Sequence, residues 1–293
     1  MARKLMYPKF MTWKLMNSAL IRRRRFSVRR SLLSVATICF LLVSPWALAH
    51  NPLTGSFQER VAGTLSAVLL MGFWFLYGRG SFRVRPATGK AVAGHLGFAL
   101  CTLTLLGPLD DLATTSSAAH MLQHMMIMVI ITPLWVASQP LPQISAAGGQ
   151  VLSICWRPLL RLAGYPMACA YLHAAVIWFW HMPWFYMLAV ENPWWHTLEH
   201  ALFLSTAGVF WWSVMRASPV NFPVATMALL FTLMHTGFLG ALLSFSQTPI
   251  YHEEARSLAD QQLAGLIMWV AGAIPYLLAS GWITRRWYQR QAS

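Results

Sequence analysis

Seven mostly apolar stretches of about twenty residues follow one another at roughly 61–78, 88–107, 116–138, 164–183, 197–215, 222–246 and 261–283. A bilayer core about 30 Å thick is crossed by about 20 helical residues, and in lipid every backbone N–H and C=O must find its partner inside the protein. Helices satisfy that demand segment by segment, so the predicted fold class is an all-α integral membrane protein, a bundle of seven transmembrane helices. With 57% hydrophobic and 10% charged residues, the chain lacks the polar surface of a water-soluble domain. An eighth apolar stretch, 32–49, follows Arg22 to Arg25 and Arg29-Arg30 and ends in Ala47-Leu48-Ala49. A basic start, an apolar middle and a small-residue end read as a signal peptide cut before His50, or as a signal anchor left in place. The expected organisation is a basic N-terminal segment over 1–49 and a membrane domain over 50–293.

The formal net charge of +14 is sorted along the chain. The N-terminal segment, the loops after spans one, three and five and the C-terminal tail hold all 22 Lys and Arg except Arg60 and Arg256. Glu59, Asp110, Asp111, Glu191, Glu199, Glu253, Glu254 and Asp260, the 8 acids, fall on the opposite side. Basic loops stay cytoplasmic, so this pattern predicts a multi-pass protein of a bacterial cytoplasmic (inner) membrane with its C-terminus inside. The partner of the basic residues is the lipid bilayer, and no nucleic acid is expected. Cys39, Cys101, Cys155 and Cys169 have no C-x-x-C spacing and none lies in an outer loop, which argues against a disulfide framework.

Within that topology the histidines are not scattered. His120 and His124, and again His196 and His200, are pairs four residues apart at the outer ends of spans three and five, with His181 between them in sequence. Residues at i and i+4 share one helix face, so each pair aims two imidazoles the same way, as helical metal sites require. Glu199 falls in the first turn of span five as the hydropathy draws it, where the helix dipole favours a negative charge, and it suits a supporting role behind a ligating ring. Imidazole serves copper, zinc and iron, and thioethers tilt the choice towards Cu(I). Met121 and Met125 are thus further candidate ligands, as is His50 if cleavage frees its α-amine. His173 and His235, near mid-membrane, offer a different chemistry, with two helices facing each other across a haem. A lone His95 in span two reads as a polar contact between helices. His196-x-x-Glu199-His200 matches the H-x-x-E-H motif of a zinc peptidase, but no substrate cleft accompanies it. The loop at 139–163, rich in Pro and Gly, reads as a connector without a core, and the aromatic segment around 184–195 as an interfacial belt. Gly237, Gly240, Gly265 and Gly272 mark close helix contacts.

Four ordered motifs carry a resemblance: His120 to His124 with Thr132-Pro133; His181-Met182-Pro183 with Tyr186; His196 to His200 continuing to Trp211-Trp212; and Asp260-Gln261-Gln262-Leu263-Ala264-Gly265. Over about residues 55–285 the chain resembles the CtaG family of polytopic assembly factors for caa-type cytochrome c oxidase, which is distinct from the single-span copper chaperone that shares the name. The resemblance implies a seven-span protein needed to make an active haem–copper oxidase, and family positions matching His120, His124, His181, His196, Glu199, His200 and Asp260. The expected function is therefore copper handling at the periplasmic face, without catalysis. The oxidase subunit I and a periplasmic copper donor are the expected partners. The alternative is a haem-binding electron carrier or haem-handling protein using His173 and His235.

Overall fold

The computed structural model describes residues 56–251 and 256–291, and all regular structure among them is helical. The expected signal segment, the cleavage point before His50, and His50 itself lie outside the described residues. Five helical stretches are long and apolar enough to cross a membrane: Phe57–Ser81, Thr88–Leu106, Ser117–Ser138, Pro219–Phe245 and Leu258–Gln291. These match the expected spans one, two, three, six and seven to within a few residues at their ends, the last running further at its C-terminal end. The expected span four falls on the 15-residue helix α7 (Pro166–Trp180), which is long and apolar enough only together with the end of the helix before it, across a 109° bend. The expected span five falls on α9 (Pro193–Met215), a continuous 23-residue helix that is not among those five, its His, Glu, Ser and Thr residues diluting its apolar character.

In chain order the remaining elements are α1 (Phe57–Arg83), α2 (Thr88–Leu106), α3 (Pro108–Thr115), α4 (Ser117–Met125), α5 (Thr132–Ser138), α6 (Leu141–Leu162), α8 (Pro183–Glu191), α10 (Phe222–Phe245), α11 (Leu258–Leu266) and α12 (Gly272–Gln291). A π-helical turn, Met126–Ile131, joins α4 to α5, and a second, Ile267–Ala271, joins α11 to α12. The first has a sequence cause. Pro133 has no N–H to donate backwards, and in the widened turn the carbonyl of Met128 accepts from the Thr132 hydroxyl at 2.7 Å and from the Trp211 indole N–H at 2.8 Å. Span three is thereby held to α9 immediately below the histidines.

Two segments read as loops from sequence are helices. Over 139–163 the chain forms α6, because Pro142 sits in its first turn, where a missing N–H costs nothing. Gly149, at φ 77°, then takes the kink in a backbone conformation that a residue with a Cβ resists. Far from lacking a core, α6 packs along α1. A Cβ on Gly80 would fall 1.8 Å from the Gln143 carbonyl oxygen, so the two backbones meet there. Within the aromatic segment, Pro183 opens the short helix α8, and Asn192 ends it while capping α9 through Trp194 N–H and Trp195 N–H. The expected glycine contacts are present: added Cβ atoms on Gly240 and Gly265 would each run into the other's carbonyl oxygen, at 2.8 and 2.5 Å.

The main core joins α4, α7, α9, α10 and α12 through Met121, Ile177, Trp180, Phe203, Phe210, Trp211, Leu229 and Tyr276. A smaller one, with Leu70, Tyr77, Phe98 and Ile131, ties α1 and α2 to the π-turn beside α5.

Candidate metal centre

The two histidine pairs occupy equivalent places on their helices. His120 is the fourth residue of α4 and His196 the fourth of α9, each behind a side-chain cap. Ser116 accepts from Ala119 N–H in one helix, and Asn192 caps the other. With α4 and α9 linked through Met128 and Trp211, the pairs come face to face. Ring centroids of His120 and His124 are 4.3 Å apart, those of His196 and His200 are 4.2 Å apart, and across the interface His120–His196 and His124–His200 measure 5.3 and 5.4 Å. His120 and His124 are each 1% exposed, while His196 and His200 are partly covered.

Glu199 lies among these rings and is fully buried. Because α9 begins at Pro193, four residues earlier than hydropathy draws it, Glu199 falls in the second turn. The helix dipole fades within one turn and so is not what holds the charge. Instead, one carboxylate oxygen lies 3.6 Å from Nε2 of His120 and 3.6 Å from Nε2 of His124. The carboxylate therefore sits among the ligand-bearing nitrogens, and not behind a ring as the sequence pattern predicts. Neither of its oxygens accepts a hydrogen bond. A buried carboxylate left so costs several kcal/mol, on the order of an unpaired interior charge.

The 3.6 Å separations discriminate between partners. They are too long for an N–H···O bond, yet two ligand atoms on one tetrahedral metal, with bonds near 2.0–2.1 Å, stand about 3.4 Å apart. The ligand atoms of His120, His124 and Glu199 all lie within 4.8 Å of one another, as do those of His196, Glu199 and His200. Nε2 of His120, of His124 and of His200 are buried without a hydrogen-bond partner.

His181, the first residue past α7, borders this group, with its ring 6.5 Å from that of His124. Its Nδ1 is 2.7 Å from the carbonyl oxygen of Ile177. A carbonyl only accepts, so the proton is on Nδ1 and Nε2 carries a lone pair, and that atom is buried and unpartnered. Met121 and Met125 share a face about 100° from the histidine pair. Met121 is in the main core, and the Met125 sulfur packs where Gly272 leaves room.

Asp260 touches none of the rings. Its carboxylate accepts from the Ser116 hydroxyl at 2.7 Å and from the Ser117 and Ala118 backbone N–H groups. One turn into α11, it thus caps the neighbouring α4 and stands at the positive end of that helix, which anchors His120 and His124 from above. Sequence reasoning passed over Arg256 as a residue of the site. It is 5% exposed and donates to the carbonyls of Ala113 and Thr114 and to the Tyr186 hydroxyl. Tyr186 in turn lies 5.3 Å from the His120 ring and stacks at 3.7 Å on Tyr251, whose hydroxyl donates to the His181 carbonyl. Burial pushes the Tyr251 phenol well up, so it remains a donor. These three residues roof the cluster. The available signal for Arg256 was its charge, one of two basic residues among the acids.

Of the other described histidines, two have local partners. His95 Nδ1 accepts from the Trp74 indole at 2.9 Å, as expected of an interhelical contact. His173 meets the Thr206 hydroxyl at 2.9 Å, whereas His235 lies beside Phe231, 5.1 Å between rings, with both ring nitrogens buried and without a hydrogen-bond partner. A cavity of about 520 Å³ between α1, α2, α5, α6 and α9 reaches His196 and His200 and is lined by neither His173 nor His235.

Fold and site together define a polytopic helical membrane protein with a largely buried histidine–carboxylate cluster at one end of its bundle. Residues 67–290 match the family model described as cytochrome c oxidase caa3 assembly factor (Caa3_CtaG), and the chain belongs to that family. No curated protein and no solved structure matches it.

Proposed function

We propose that this protein supports assembly of a haem–copper oxidase by holding copper in the cluster of His120, His124, His181, His196, His200 and Glu199 and releasing it for the oxidase. The carrying observation is a buried carboxylate set 3.6 Å from two imidazole nitrogens with no hydrogen bond to either oxygen. Copper is the reading favoured by the family's oxidase and by neutral imidazole as a donor; here it is cargo, and no catalytic step is assigned. In this reading the chain crosses the inner membrane seven times, α7 and α9 completing the set. The basic loops lie inside, and the cluster faces the periplasm, where a copper donor would load it and subunit I would receive from it.

The test separates delivery from folding. His124→Ala removes one ligand while packing and insertion persist, since interhelical polar contacts average about 0.6 kcal/mol. The variant is expected at near-normal abundance in the membrane, with oxidase activity reduced, haem retained in the oxidase, binuclear copper missing, and partial rescue by added copper. Full copper content in an inactive oxidase would defeat the delivery reading, as would an unchanged oxidase. A Soret band in the purified wild-type protein would favour haem instead.

A further inference from the structure

We infer that the cluster holds two metal ions side by side, bridged by Glu199. This rests on the metal-holding reading above and adds its stoichiometry. The ligand atoms do not gather around one point. They fall into two trios, His120 with His124 and His196 with His200, each closed by the same carboxylate within 4.8 Å. Within a pair the rings are 4.2–4.3 Å apart, and across the helix interface 5.3–5.4 Å, so four imidazoles surround two positions. No group of ligand atoms within 4.8 Å takes in all four rings, whereas ligands on one ion, with bonds near 2 Å, stand no more than about 4 Å apart, so one ion does not serve both pairs as they stand.

Glu199 suits the bridge. It is fully buried, and both its oxygens, Oε1 and Oε2, lack hydrogen-bond partners, so each is available to a different ion. The two pairs are also anchored separately. Asp260 and Arg256 hold the start of α4, at Ser116 to Ala118 and at the Ser117 hydroxyl, from α11 and its preceding segment, while Asn192 caps α9. Each half thus rests on its own helix, and either pair can be removed while the other keeps its support. His181 has its Nε2 lone pair oriented by the Ile177 carbonyl and its ring 6.5 Å from that of His124; it stands just outside the trio of His120, His124 and Glu199, where a shift of the ring would bring a third imidazole to that position. The two positions therefore differ in the imidazoles within reach, and the α4 side, with this reserve ligand, is the tighter one.

Purified full-length protein in detergent, titrated with Cu(I) under reducing conditions against a chromogenic chelator, gives the count. The expected result is two equivalents for wild type, one for His120→Ala/His124→Ala, one for His196→Ala/His200→Ala, and at most one, weakly held, for Glu199→Ala. The His196→Ala/His200→Ala form should retain the tighter equivalent. One equivalent in wild type, lost with either pair, would overturn the bridge and leave metal holding intact. No copper in wild type that is monodisperse and helical would overturn metal holding itself. Should a double variant fail to fold, copper X-ray absorption on wild type decides: a copper scatterer at about 3.5–4 Å, the range of two-metal sites, supports the pair, and its absence at full loading rejects it.

Discussion

His95 and His124 are both histidines in apolar helices of one bundle, yet their surroundings differ in kind. His95 has a protein donor at hydrogen-bond distance, the Trp74 indole, and the contact joins α1 to α2. Both ring nitrogens of His124 are buried without a partner, and the nearest acid stands 3.6 Å away. Polar groups at membrane depth are tolerated when paired, so the first residue is explained by the protein alone and the second is not. His173 falls between them. Because the Thr206 hydroxyl donates to Leu202, the His173 ring must donate to Thr206 through Nδ1, and its Nε2 remains buried without a partner. Both nitrogens of His235 are open as well, so an open nitrogen is not by itself a site; a site needs open atoms converging with an acid, and among the described residues the α4–α9 end supplies that grouping.

The change expected to erase this contrast most completely is Glu199→Gln. It keeps the volume and removes the charge both trios share, so copper affinity should fall by at least about 100-fold, the upper end of what losing a supporting partner costs. The protein should remain in the membrane, because the wild-type carboxylate makes no hydrogen bond that the amide would forfeit. Competition with a Cu(I) chelator reads the affinity, and immunoblotting of membranes reads abundance. Unchanged affinity would mean that the rings bind without the carboxylate.

A smaller effect is expected at Asp260→Asn. Removing the charge weakens the cap on α4 by about 1 kcal/mol, which loosens His120 and His124 without removing a ligand. Copper affinity should then drop by about fivefold, with the stoichiometry unchanged. A drop as deep as that of Glu199→Gln would make Asp260 itself a ligand, contrary to its bonds to Ser116, Ser117 and Ala118.

Much of this arrangement was legible because helices repeat. The spacing of His120 with His124 and of His196 with His200 predicts shared faces, and the charge sorting predicts that the two pairs lie at one depth. Periodicity within a helix carries no information about a neighbour, however. That Asp260 caps α4, or that Glu199 sits between rings of two helices, depends on which helices pack, and nothing in either local sequence encodes it. The boundaries at Pro183 and Pro142 were hidden for another reason. Proline is read as a break, whereas in the first turn of a helix it is at home, so α8 and most of α6 looked like loop. Arg256 had a signal in its charge on the acidic side, but its role as a roof over Tyr186 needed the fold.

The smallest effect belongs to the other side of the comparison. His95→Phe removes the acceptor for the Trp74 indole but keeps a ring beside Tyr77, whose own ring is 5.3 Å from that of His95. The lost bond is worth about 0.6 kcal/mol on the average for interhelical contacts in membranes, and the retained aromatic packing offsets part of it. Thermal unfolding of the purified protein should shift down by no more than about 2 °C, with copper stoichiometry and oxidase assembly at wild-type levels. The same variant thus serves as the control for Glu199→Gln: it changes a partly buried polar group in the same bundle and leaves the metal alone. Loss of copper in His95→Phe would mean that α1 and α2 communicate with the cluster through the cavity that reaches His196 and His200, and the division between paired and unpaired histidines would then fail as a guide to which of them bind metal.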